Sequence, residues 1–259
     1  MKLLRLASLS LLASVAACGD GSTDTVDSAP GPSPGAADIS LLYMGNSHTS
    51  VNELDDMVTE MVRAGMPGET VAGVAAPGWM FLDERAAHPP SLTLLRSQDW
   101  SVVILQAQKY SSSGQFTYST EEAKELVRAS REQHAVPVMF PEWPRRNVDE
   151  TQRIYDLHVS IAQETPACVA PIGQAWDLAL ARHPTLVLHD ADGNHSAPAG
   201  AFLAALVLYA TITGRSPGDL PHLPQIVVSS DTQATLRAIA VETVQVVPPR
   251  QWCPADSLP

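Results

Sequence analysis

Two short stretches of this 259-residue chain carry residue types that do chemistry. "MGNSHTS" (Met44–Ser50) places Ser47 two residues beyond a glycine, directly after an apolar run that begins at Ile39. "HDADGNHS" (His189–Ser196) places Asp192 and His195 three apart on a polar segment. A serine hydroxyl is a weak nucleophile until a base accepts its proton, and an imidazole base works best when a carboxylate fixes its tautomer. An Asp-x-x-His turn supplies both groups. Each stretch also has an ordinary explanation. Ser47, Thr49, Ser50 and Asn52 all suit a helix N-cap, Asp192 suits an Asx-type turn, and His195 suits a solvated loop. His189, Asp190, Asp192 and His195 could instead ligate a metal, although no third ligand at a recognisable zinc spacing follows them. The "DADGN" run fails as a calcium loop, because His195 stands where glycine is required and Ala201 where a bidentate glutamate belongs.

These side chains need a scaffold, and hydrophobic patterning supplies one. Ile39–Met44, Trp100–Gln106 and Ala135–Phe140 are short apolar runs of buried-strand type, with weaker runs at Thr70–Ala76 and Thr185–His189. Between them lie helical patterns. Val51, Leu54, Met57, Val58, Met61 and Val62 fall on one face, and Gly65 closes it. Ser119–His134 opens with a Ser-Thr cap and an acidic first turn. Pro198–Gly214 is apolar all round and predicts a buried helix. Alternating strands and helices predict an α/β protein: a three-layer α/β/α, flavodoxin-like parallel sheet of about five strands. In such sheets, sites gather beyond the carboxyl ends of the strands. Asn46, Ser47 and His48 belong there.

Gly45-Asn46-Ser47 after a first strand, taken with Asp192-x-x-His195, resembles the SGNH (GDSL-like) hydrolase superfamily, in the branch whose first block carries asparagine in place of aspartate. The resemblance spans roughly residues 39–214. It implies a serine esterase with Ser47 as nucleophile, His195 as base and Asp192 as its orienter. It implies oxyanion donors at the backbone N–H of Ser47 and of Gly78, with Gly73 the lesser match. The family's Gly-x-Asn-Asp block is missing: Gln106-Ala107-Gln108 ends the third strand, so Gln108 is expected to supply the side-chain amide and Gln106 to replace the glycine. "MFPEWPRR" (Met139–Arg146) should reach the same rim. Trp143, Glu142 and Arg145 either shape a substrate pocket there or form a turn set by Pro141 and Pro144 around a packed indole. Two further functions stay open: a non-catalytic glycan-binding protein on this fold, and the metal-dependent hydrolase.

The rest of the chain bounds compartment and partners. Lys2 and Arg5 precede a short apolar run that ends Val15-Ala16-Ala17-Cys18. That run is too short to span a bilayer and resembles a bacterial lipobox, which predicts a signal peptide over 1–18 and lipidation of Cys18. Residues 19–38 hold almost no large apolar side chain and are expected to tether a hydrolase domain at 39–259. The expected location is the bacterial cell envelope, with the membrane contacted through the lipid alone. A net charge of -12 argues against nucleic acid as a partner. The implied substrate is a small-molecule or carbohydrate ester, and no cofactor or metal is called for. Cys168 and Cys253 form an even pair beyond Cys18, so a disulfide pinning the proline-rich tail is open in an oxidising compartment.

Overall fold

The computed structural model describes residues 33–256; the leader, Cys18 and most of the tether lie outside them. Five strands form one parallel sheet: β1 (Ile39–Met44), β2 (Val71–Ala75), β3 (Val102–Leu105), β4 (Val136–Met139) and β5 (Cys168–Val169). Their order is β2-β1-β3-β4-β5. The chain therefore winds outward in both directions from the β1/β3 pair, which makes the carboxyl ends of those strands the topological switch point.

Nine α-helices connect and flank the strands among the described residues: α1 (Ser47–Ser50), α2 (Leu54–Gly65), α3 (Leu82–Ala86), α4 (Pro89–Leu95), α5 (Glu121–Glu132), α6 (Thr151–Glu164), α7 (Ile172–Arg182), α8 (Pro198–Thr213) and α9 (Ser230–Val246). Side chains alternate across the sheet. Leu41, Tyr43, Val102 and Ile104 join the core under α2, α7, α8 and α9, while Leu42, Met44, Val103 and Leu105 join the core under α3, α5 and α6. Both faces are covered, so the strands read as continuous apolar runs. Helix α8 is buried along almost its whole length, as its unbroken apolarity predicts. Among the described residues no helix is long and apolar enough to cross a membrane.

The fifth strand is not where patterning places it. Thr185–His189 makes only an isolated antiparallel bridge, His189 to Ser196. Val187 in its middle is 68% exposed. The sheet edge is taken instead by the two-residue strand β5, which pairs Val138 with Cys168 and Met139 with Val169.

Cys168 and Cys253 form a disulfide, with a Cα separation of 5.0 Å inside the range such bridges need. The bridge ties the C-terminal segment to the sheet edge, where the Val169 N–H also donates to Pro249 O at 2.9 Å. It closes a loop of 85 residues, for which constraint of the unfolded chain is worth about 4 kcal/mol. Cys253→Ser is expected to lower the melting temperature by about 10 °C in non-reducing calorimetry. Wild type reduced with dithiothreitol should show the same loss.

Candidate active site

Ser47 opens α1 at the carboxyl end of β1, and its neighbours fix its position closely. Gly45 lets the turn close: a Cβ there would lie 2.0 Å from Thr49 Oγ1 and 2.9 Å from Gln106 Oε1. Gln106, leaving β3, clamps the turn with its carboxamide. Its Oε1 accepts from the Asn46 backbone N–H and from Thr49 Oγ1, both at 2.9 Å, and its Nε2 donates to Asn46 Oδ1 at 3.0 Å. Asn46 Oδ1 also accepts from the His48 N–H at 2.9 Å, capping α1. Two donors converge on that oxygen. Asn46 Nδ2 is left without a protein partner among the described residues, on a side chain that lines the adjoining cavity.

The opposite wall is the loop between His189 and Ser196. Its backbone closes on itself, with the Asp190 N–H donating to His195 O at 2.8 Å and the Gly193 N–H to Asp190 O at 3.0 Å. Trp143 Nε1 donates to Asn194 O at 2.8 Å, and Asn52 Nδ2 donates to Ser196 O at 2.6 Å. Asn52 achieves this from a left-handed backbone, φ 60°, which asparagine tolerates better than most residues. The loop delivers His195 to Ser47. Ser47 Oγ lies 2.9 Å from His195 Nε2, and Asp192 Oδ2 lies 2.5 Å from His195 Nδ1.

Electrostatics assign the protons. Asp192 is held well below the usual carboxylate range, first by the hydrogen bond from His195 and then by the backbone N–H groups of Asn194 and His195. An anion there favours the proton on Nδ1, and in that tautomer of the neutral ring the Nε2 lone pair faces the Ser47 hydroxyl. His48 stacks on His195 with ring centroids 5.1 Å apart. Burial, aided by the neighbouring His195, pushes His48 down to about 4, so it is a neutral wall at pH 7.

The residues named from sequence separate into those the structure brings together and those it does not. Ser47, Asp192 and His195 converge. Gly78 lies on the exposed loop after β2 with φ +75°, a conformation that favours glycine, whereas Gly73 sits inside β2 opposite Leu41. Gln108 departs from expectation. Its amide donates to Ser119 O at 2.9 Å and Lys109 O at 3.0 Å, so both N–H groups brace the loop after β3 instead of facing Ser47. Gln106, cast as a glycine substitute, is the clamp. Trp143 is buried and stacks on Trp176 at 4.7 Å, which makes it the packed indole and not a sugar platform. Nor do His189, Asp190, Asp192 and His195 converge as a ligand set among the described residues: His189 is buried, with Nε2 2.8 Å from Pro144 O.

A cavity of about 410 Å³ opens beside the triad. Asn46, His48, Phe81, Tyr110, Glu142 and Arg145 are among its lining residues. Glu142 is buried beneath it, with Oε2 accepting from Gln106 Nε2 at 3.4 Å. Desolvation, reinforced by the charge of Glu150, raises its carboxyl to about 7 against the pull of Gln106 and Arg145. A carboxyl raised in the folded state contributes stability that is complete below its unfolded value, near 4.5, and lost as pH rises through 7. Glu142→Gln removes that dependence. Between pH 5 and pH 8 wild type should lose about 2 kcal/mol relative to Glu142→Gln, measured by urea unfolding at each pH; parallel profiles would refute it.

No family model and no curated protein matches the chain. Solved structures do. A candidate SGNH hydrolase from Slackia heliotrinireducens is 23% identical, with 67% of this chain and 98% of that one covered at a TM-score of 0.56. A DUF4886 family protein from Bacteroides uniformis is 17% identical, with 85% and 97% covered at 0.62. The psychrotrophic esterase EstA from Pseudoalteromonas sp. is 13% identical, with 68% and 97% covered at 0.50. At these identities the likeness is one of fold: the chain has the three-layer α/β/α architecture of SGNH-like hydrolases.

Proposed function

We propose that the protein is a serine esterase that cleaves carboxylic esters through an acyl-enzyme. The observation that carries this reading is the unbroken chain from Asp192 to His195 Nδ1 and from His195 Nε2 to Ser47 Oγ, at 2.5 and 2.9 Å. Ser47 Oγ attacks the ester carbonyl while its proton passes to His195 Nε2, and Asp192 stabilises the imidazolium that forms. The tetrahedral intermediate collapses as that proton moves to the departing alcohol, leaving an acyl-serine. Water, deprotonated by the same histidine, releases the acid. The developing oxyanion is met by the backbone N–H groups of Ser47 and Gly78. Asn46 Nδ2 takes the side-chain donor role in place of Gln108, because its own oxygen is already engaged twice.

The alcohol half of the substrate occupies the cavity beside the triad. Phe81, Tyr110 and Tyr118 offer apolar faces there, and Asn194, Glu142 and Arg145 offer polar edges. That mixture suits a sugar ring, and an O-acetylated carbohydrate is the substrate class we favour. A lipid anchor at Cys18 would hold the enzyme in the cell envelope, facing such polymers. The non-catalytic glycan-binding alternative expects the side chains of Ser47 and His195 not to meet, and their 2.9 Å contact favours the esterase.

Wild type should hydrolyse short-chain p-nitrophenyl esters, while Ser47→Ala and His195→Ala each lose about 10³-fold or more in kcat. A fluorophosphonate should label Ser47 by mass spectrometry, and EDTA should leave activity intact. Labelling at another serine, or loss of activity to the chelator, would sink the assignment.

A further inference from the structure

Arg85 is fully buried in α3, and none of the ion pairs among the described residues includes it. A guanidinium removed from water without a carboxylate costs several kcal/mol unless other acceptors replace the solvent. Here the acceptors are backbone carbonyls at the rim of the site. Nη2 donates to Gly45 O and, at 2.6 Å, to Gly78 O. Nη1 donates to Pro77 O at 3.1 Å and to Ser91 Oγ at 2.9 Å. The fork thus grips the segment before the nucleophile and the loop after β2 together.

Peptide geometry converts that grip into an orientation of N–H groups. The 45–46 and 77–78 peptide bonds are trans, since the cis bond among the described residues is at Gln106-Ala107. In a planar trans unit the carbonyl and the following N–H point in opposite directions. Drawing Pro77 O toward Arg85 therefore turns the Gly78 N–H away from it. Drawing Gly45 O inward turns the Asn46 N–H outward, where Gln106 Oε1 receives it at 2.9 Å. The first unit carries the proposed oxyanion donor of Gly78; the second leads directly into Ser47. Helix α3 is itself pinned to the end of β3, with the Leu82 N–H donating to Ala107 O at 3.0 Å and Lys109 Nζ 2.6 Å from Asp83 Oδ2.

We propose that Arg85 is the positioning residue of the oxyanion site: its guanidinium sets the 77–78 peptide plane so that the Gly78 N–H faces outward, ready for the transition state, and the 45–46 plane so that the Asn46 N–H meets Gln106 Oε1 and fixes the turn into Ser47. The inference rests on the esterase reading above. A positioning role of this kind acts on transition-state binding and spares ground-state binding.

Arg85→Lys keeps the charge but cannot span these backbone carbonyls, and Arg85→Met keeps volume alone. In folded protein, matched to wild type by circular dichroism, kcat should fall about 100-fold with KM within about threefold. Affinity for a trifluoromethyl ketone, whose tetrahedral adduct carries the oxyanion, should fall in parallel with kcat. Lysine should rescue little. Unchanged kcat and ketone affinity in either folded variant would overturn the inference. So would a fall in kcat while ketone affinity holds, since that marks a general structural loss. If neither variant folds, Ser91→Ala, which removes one anchor of Nη1, decides: a fall of about 3- to 10-fold in both measures is expected, and no fall overturns the proposal. Wild type inert to both ester and fluorophosphonate would instead overturn the esterase reading, and this inference with it.

Discussion

The hydrogen bond between Ser47 Oγ and His195 Nε2 joins residues 148 apart in sequence, and much of the rim exists to hold that one distance. A displacement of an ångström at such a contact costs a large share of any catalytic advantage. The serine side is fixed by β1, by the N-cap of Asn46 and by the Gln106 carboxamide. The histidine side is fixed by a loop that hydrogen-bonds to itself and is braced from outside by Trp143 and Asn52. Asn52 matters twice, because it stands five residues after Ser47 and reaches to the residue after His195. It ties the two halves together through a single side chain.

The rim also carries an unusual load of buried polar groups. Arg85, Gln106, Glu142 and His189 are all buried, as are Gln108 and His48. A protein core avoids such groups unless they are hydrogen-bonded. Here nearly all of them bond to backbone carbonyls, backbone N–H groups or one another, so they act as struts between strand ends that have no side-by-side pairing left. Parallel strands need this more than antiparallel ones do. Their connections leave the sheet at the rim, and nothing in the ladder dictates where the loops go next.

That distinction explains what was legible in the sequence. Strand β1 and helix α8 declared themselves because both are apolar along their length, and burial on both sides is what such runs mean. Ser47, Asp192 and His195 were legible because an Asp-x-x-His turn and a serine after Gly-Asn are local patterns. Strand β5 was not: two residues between Pro166 and Pro171 make no periodic signal. Thr185–His189 has an apolar composition, but it follows Pro184 and pairs with nothing beyond one bridge. The two glutamines failed for a subtler reason. Which of them meets Asn46 depends on where the backbone leaves the sheet, and β3 ends at Leu105, so Gln106 is the last side chain within reach. Arg85 was invisible altogether, since "LDERA" has the composition of an exposed helical turn and only the fold puts its fourth residue underneath a set of backbone carbonyls.

The asparagine at position 46 is where these constraints meet. An aspartate there would still accept from the His48 N–H and from Gln106, so the cap and the clamp would survive. It would, however, offer no N–H toward the cavity, and in the proposed reaction it would set a carboxylate one residue from the serine that carries the tetrahedral adduct, whose former carbonyl oxygen bears the charge. Like charge at that distance raises the energy of the transition state more than that of the neutral ester. With Asn46 the same two acceptor bonds are made by a neutral oxygen, and the amide nitrogen remains as a donor. Gln106 fits that choice. Its carboxamide offers Asn46 a donor for the side-chain oxygen and an acceptor for the backbone N–H, so the orientation of the Asn46 amide follows from its partner. The turn that holds Ser47 thus obtains its rigidity from a pair of neutral amides, while the charge on Arg85, which has no carboxylate partner, has the sign that favours an oxyanion.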